Sequence, residues 1–84
     1  MEKLTRSKRI INHVMASVDL YYSSLIEVVK YEEKESYWVS VVLGSRRGKR
    51  YPLRYTFRAD EERQMFIDEF NKLYPDVPIL EKEM

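Results

Sequence analysis

Residues 37–57, YWVSVVLGSRRGKRYPLRYTF, constrain this chain more than any other stretch, because their alternation admits little besides a β-hairpin. Tyr37, Val39, Val41 and Leu43 fall at every second position, the period of a half-buried strand. Tyr51, Leu53, Tyr55 and Phe57 repeat the pattern beyond the loop GSRRGKR. The intervening Trp38, Ser40 and Val42, with Pro52, Arg54, Thr56 and Arg58, make a second face carrying charge and one large aromatic. If Leu43 faces Tyr51, Val41 meets Leu53 and Val39 meets Tyr55. The first face is then apolar or aromatic throughout.

The flanks supply one more strand and two helices. Residues 24–31 are rich in β-branched and aromatic side chains and precede the charged turn EEKE, so they read as a strand antiparallel to 36–43. With EEKE as a four-residue loop, Tyr31 faces Ser36, Val28 faces Val39 and Ile26 faces Val41. On the other face this gives the rows Val29–Trp38–Thr56 and Glu27–Ser40–Arg54. Helical spacing of Val18, Tyr22, Leu25 and Val29 offers a competing reading, in which the first helix continues through the segment. Residues 3–18 carry Leu4, Ile11, Val14, Met15 and Val18 near one helical stripe. Their basic start (Lys3, Arg6, Lys8, Arg9) opposes the helix dipole, so the first turn frays, Ser7 caps a later start, or the charges serve a partner. The last helix is clearer. Asp60 suits the N-cap and Glu61 and Glu62 the first turn, Met65, Phe66, Phe70 and Leu73 form its buried stripe with Ile67 at the margin, and Tyr74–Pro75 end it. The expected fold class is α+β, a three-stranded antiparallel meander with an N-terminal and a C-terminal helix (α-β-β-β-α). Residues 1–84 form a single small domain, with 75–84 a C-terminal tail that pins Val77, Ile79 and Leu80 to the body. The pattern does not fix which sheet face the first helix covers.

Composition narrows the function classes. Without cysteine there is no disulfide framework and no thiolate metal site, so a core built on the 44% hydrophobic residues must hold 84 residues together. No apolar run approaches the roughly 20 residues that cross a bilayer, and no apolar segment follows the basic N-terminus as in a signal peptide. A cytoplasmic protein with no membrane partner is expected. The net charge of +1 conceals an imbalance: residues 1–59 hold 12 Lys/Arg against 6 Asp/Glu, and residues 60–84 hold 3 against 8.

Catalytic chemistry finds little to stand on. His13 is the sole histidine, and neither Ser17 nor Asp19 forms a nucleophile–base pattern with it. Asp60, Glu61 and Glu62 are accounted for by the helix start rather than by a metal, and GSRRG lacks the spacing of a phosphate-cradling loop. No enzyme, metal or cofactor is implied. From Arg46 to Arg58, by contrast, six cations (Arg46, Arg47, Lys49, Arg50, Arg54, Arg58) occur without one acid. Such a loop presents guanidinium groups to phosphates or base edges, and Trp38 adds a stacking surface. The bland alternative is a solvated hairpin tip that keeps the sheet soluble.

Residues 38–70 also resemble the plant GCC-box-binding and integrase arm-binding domains. Those pair a strand reading WV, a turn with Arg-Gly-Lys-Arg, a second strand, a phenylalanine and an acid-led helix. Trp38, Val39, Arg47, Gly48, Lys49, Arg50, Leu53, Phe57, Glu61 and Glu62 match. The resemblance implies three antiparallel strands plus a helix, with the exposed sheet face in the DNA major groove and Trp38, Arg47, Lys49, Arg50, Arg54 and Thr56 as contacts. Arg54, Arg63 and Gln64 depart from the small residues of the plant domain. The α-β-β-β-α order is shared with the double-stranded-RNA-binding domain, but DEER stands where that family opens its last helix with a basic cluster.

Two functions follow as expectations. The first is a small non-enzymatic nucleic-acid-binding protein that uses Arg46, Arg47, Lys49, Arg50, Arg54, Thr56, Arg58 and Trp38. The second is a protein-interaction module, a homodimer or a regulatory inhibitor such as a virus could encode, that buries the Trp38 face.

Overall fold

A computed structural model describes residues 5–21 and 24–83. Helix α1 spans Arg6–Tyr21, and Ser7 is not its cap; the fraying expected of a first turn at residues 3–6 falls largely outside the described residues. Thr5 is the cap: its Oγ1 accepts from the Lys8 N–H at 3.2 Å, and its carbonyl accepts from the Arg9 N–H at 3.0 Å. Ser7 lies two residues further on, within the first turn, buried with its hydroxyl 3.2 Å from that of Thr5. The buried stripe is Ile10, Ile11 and Val14, with Val18 beside it, while Met15 turns outward. Leu4 and most of the turn expected at 21–23 lie outside the described residues.

Strand β1 (Ser24–Glu33) pairs antiparallel with β2 (Ser36–Gly44), which pairs antiparallel with β3 (Arg50–Phe57). Residues 24–33 are therefore strand, not continued helix. The β2–β3 register matches the sequence reading, with Leu43 on Tyr51, Val41 on Leu53 and Val39 on Tyr55. The β1–β2 register departs from it by two residues: Glu33 faces Ser36, Tyr31 faces Trp38 and Val28 faces Val41. Only Lys34 and Glu35 form the turn, and Glu35 takes a left-handed φ of 62°. Two-residue hairpin turns need positive φ, and the sequence places no Gly or Asn there to announce it. A slip of two keeps every side chain on its face, so the apolar face survived the error. A bulge between Leu25 and Glu27 adds Ile26, whose side chain presses on Gly44. A Cβ at Gly44 would stand 2.6 Å from Ile26 Cδ1, so a larger residue there would need the Ile26 side chain to move.

Helix α2 covers Asp60–Leu73. Its N-cap is Ala59, with no side-chain cap; Asp60 is the first helical residue and receives Nη2 of Arg63 at 2.7 Å instead. The buried face is Arg63, Phe66, Ile67 and Phe70. Met65 and Leu73, read as buried from spacing, are 50% and 58% exposed. The stripe is rotated because α1 lies beside α2, and the two helices share the cover of the sheet. Their first turns meet at Arg6 and Glu62, 3.6 Å apart, so the acid-led start of α2 offsets the base-led start of α1.

The tail is a fourth strand. β4 (Ile79–Glu83) adds parallel to β1, so the sheet is mixed, in the order β3-β2-β1-β4. Ile79 and Val77 pack on the core, while Leu80 points to the open face. Three charges in five residues hide this strand from a pattern search, and they also blunt its outer edge. At the other edge, Arg6 donates to the Thr56 carbonyl through Nε and Nη2 at 3.0 and 2.6 Å. Backbone groups alternate in direction along a strand, so the missing N–H of Pro52 falls on that same edge.

Both helices lie on one side. Ile10, Ile11, Val14, Phe66, Ile67 and Phe70 meet Val28, Val39, Val41, Leu43 and Phe57 in a single two-layer core. Among the described residues, no helix is long and apolar enough to cross a membrane.

Candidate nucleic-acid interface

The hairpin tip is a tight three-residue loop. The Gly48 N–H donates to the Ser45 carbonyl at 3.1 Å, the Ser45 N–H to the Lys49 carbonyl at 2.9 Å, and the Lys49 N–H to Ser45 Oγ at 3.2 Å. Gly48 holds φ at +83°, the left-handed position that closes such a loop. Arg46 and Arg47 occupy the turn itself, and Arg46, Arg47 and Lys49 are exposed. The shape of the tip is thus set by backbone bonds and the Ser45 hydroxyl, with Arg46, Arg47 and Lys49 exposed on it.

The second face, uncovered by either helix, carries a layered stack across three strands. Trp38 on β2 lies flat on Tyr31 of β1, with ring centroids 4.0 Å apart and planes 9° from parallel. Its other face is covered by the Arg54 guanidinium of β3, 3.9 Å from the ring centre. The indole Nε1 donates to Glu33 Oε2 at 2.8 Å. Trp38 is consequently only 8% exposed although no helix touches this face, and Val29, Ser40 and Val42 are buried beside it. Arg50 reaches across β2 to Glu27, 3.1 Å away.

The expected contact residues therefore fall into three groups. Arg46, Arg47 and Lys49 are gathered at the tip. Arg50, Arg54 and Thr56 run down one face of β3, since Thr56 pairs with Trp38 and Arg54 with Ser40. Arg58 lies past the far end of β3, about 26 Å from Arg50 at the usual rise per residue, beside the acidic start of α2. Glu32, Glu33, Glu35, Asp60, Glu61, Glu62, Glu81 and Glu83 lie at that end too. There Arg6 pairs with Glu62, Lys30 with Glu32 and Glu81, and Arg63 with Asp60 and Glu32. Those acids stand among cations, Lys34, Arg58 and Lys82 included, whereas the tip from Ser45 to Lys49 carries no acid.

Tyr31 and Glu33 were absent from the sequence reading of this face, because the four-residue loop placed Val29 opposite Trp38. A two-residue turn would have revealed them. On the helix side, His13 is exposed, its Nδ1 lying 2.7 Å from Tyr55 Oη. Partial burial pushes the Tyr55 phenol up to about 12. Among the described residues, no three His, Asp or Glu side chains gather as metal ligands would.

No family model, curated protein or solved structure matches the chain.

Proposed function

We propose that this is a small, non-enzymatic, cytoplasmic nucleic-acid-binding protein whose interface is the β2–β3 tip and the open sheet face beside it. One observation carries the reading: Arg46, Arg47 and Lys49 at the tip continue through Arg50, Arg54 and Thr56 along one strand face, with no acid between Arg46 and Arg58 in the chain. A basic stripe joined to an uncovered sheet is the electrostatic footprint of a phosphate-backbone ligand. Arginine's planar fork suits phosphate oxygens and base edges alike. The rival reading, a protein partner or homodimer seated on Trp38, needs apolar surface left to bury. Val29, Trp38 and Val42 are buried within the single chain, with Leu80 40% exposed beside them, so the face is more polar than apolar and better matched to a polar ligand.

The test is fluorescence anisotropy with labelled oligonucleotides across a salt series, run beside sedimentation of the free protein. Binding is expected to weaken steeply with salt, by nearly one unit of log–log slope per phosphate contact. The double substitution Arg47→Ala/Lys49→Ala should reduce that slope by about two and leave the melting temperature unchanged, since both side chains are exposed. No binding at low salt would refute the function. Binding indifferent to the tip would refute the site.

A further inference from the structure

We infer that Trp38 is a base-stacking platform for which Arg54 is a removable cover, and that the ligand of this face is single-stranded nucleic acid. The inference rests on the nucleic-acid reading above and narrows its substrate class. The two faces of the indole differ in kind. One is closed by Tyr31, a cross-strand neighbour stacked at 4.0 Å, and the ring edge is fixed by the bond to Glu33. The other is covered by Arg54, a flexible side chain on an exposed position of the neighbouring strand. Removing that one guanidinium would uncover a flat, rigidly oriented aromatic face on an open sheet.

The exchange is favourable on physical grounds. An exposed cation–π contact is weaker than a nucleobase stacked on an aromatic ring. The displaced guanidinium does not lose a partner, because the strand that brings the base also brings phosphates. Arg54 would move from ring to phosphate as the base takes its place. A duplex cannot make this exchange without unstacking, since its bases have their faces occupied. A single strand offers them freely. Charge complementarity supports the occupant: Arg47, Lys49 and Arg50 lie toward the tip from Trp38, and the β1 acids of this face are engaged, Glu27 by Arg50 and Glu33 by the indole Nε1.

Trp38 is the one tryptophan in the chain, so its emission reports on this site alone. The probe is oligothymidylate of about twelve nucleotides, compared with a mixed-sequence duplex of equal length at equal salt. The expected result is strong quenching of Trp38 emission at saturation, with affinity for the single strand about tenfold or more above that for the duplex. Arg54→Ala, an exposed change, should keep the quenching and lower the salt slope for oligothymidylate by about one. Unchanged Trp38 emission at saturation, or tighter binding to the duplex, would overturn the inference while leaving the protein a nucleic-acid binder. Loss of quenching in Arg54→Ala would also overturn it, by showing that the arginine holds the indole in place rather than covering it. Absence of binding to either probe would overturn both this inference and the function on which it rests.

Discussion

At the residue scale, the least expected feature is Arg63, 2% exposed within the helix–sheet interface. Its Nη1 donates to the Tyr31 carbonyl at 2.9 Å, Nη2 to Asp60, and its guanidinium lies over the Tyr37 ring, while Nε has no partner. The Tyr31 carbonyl belongs to the residue that supports Trp38, so Arg63 ties the helix layer to the backbone beneath the open face. Asp60 and Glu32 are half-exposed and can rehydrate, so the loss of Arg63 is expected to act mainly through packing and the lost bond to the Tyr31 carbonyl. Arg63→Ala should destabilise by about 2–3 kcal/mol, and Arg63→Met, which fills the space, by about 1 kcal/mol or less. Urea unfolding of the two variants distinguishes this from a bridge that is strongly stabilising in itself, for which Met would fare no better than Ala. Phe70, wholly buried, should cost about 3–5 kcal/mol on truncation to Ala, a large share of a small domain's stability. Tyr55 adds a pH dependence of known sign. Its folded phenol titrates at about 12 against an ordinary 10.0, so the unfolded chain loses the proton first. The stability it contributes is complete below pH 10 and is lost as pH rises toward 12. Comparison of alkaline unfolding in the wild-type protein and Tyr55→Phe should show that loss only in the former.

At the element scale, the β1–β2 turn shows where sequence signals fall silent. The Lys34–Glu35 turn forces a non-glycine residue to a φ of 62°, an arrangement that costs an ordinary side chain roughly 1–2 kcal/mol. Glu35→Gly removes that strain but adds freedom to the unfolded chain, so a net gain of about 0.5–1 kcal/mol is expected. Thermal unfolding should rise by a few degrees, and a fall would mean that Glu35 is held there by contacts worth more than the strain. The strands tolerate the unsignalled turn because alternation dictates the face while the neighbouring strand dictates the register. The helices show the complementary effect. Spacing along α2 correctly located an apolar side, and the presence of α1 rotated the part of it that is buried.

At the scale of the whole molecule, one layer of two helices covers one face of a four-stranded sheet, and the other face is closed by its own side chains. β4 is the element most open to challenge by experiment. It shields the β1 edge over Val28–Glu32, and it is held by a short parallel register, by Ile79 in the core and by the Lys30–Glu81 pair at 3.7 Å. A chain ending at Pro78 should keep its helical signal, lose stability and self-associate through the uncovered β1 edge. Sedimentation at several concentrations checks this, and a stable monomer would show that β4 contributes neither edge protection nor core.

The sequence by itself determined the α-β-β-β-α order, the two-faced hairpin with its β2–β3 register, the basic tip and the absence of acids through Arg58. These follow from local periodicity, turn chemistry and composition, which need no distant partner to be read. Tertiary structure alone decided four things. It paired Ile79–Glu83 with β1, although the charges there carry no strand signature. It slipped β1 by two residues to bring Tyr31 beneath Trp38. It buried the Arg63 guanidinium against the Tyr31 carbonyl of β1, and it laid Arg54 on the indole. Each depends on groups that meet only after strands have found their neighbours, and a contact between remote residues leaves no period in the chain.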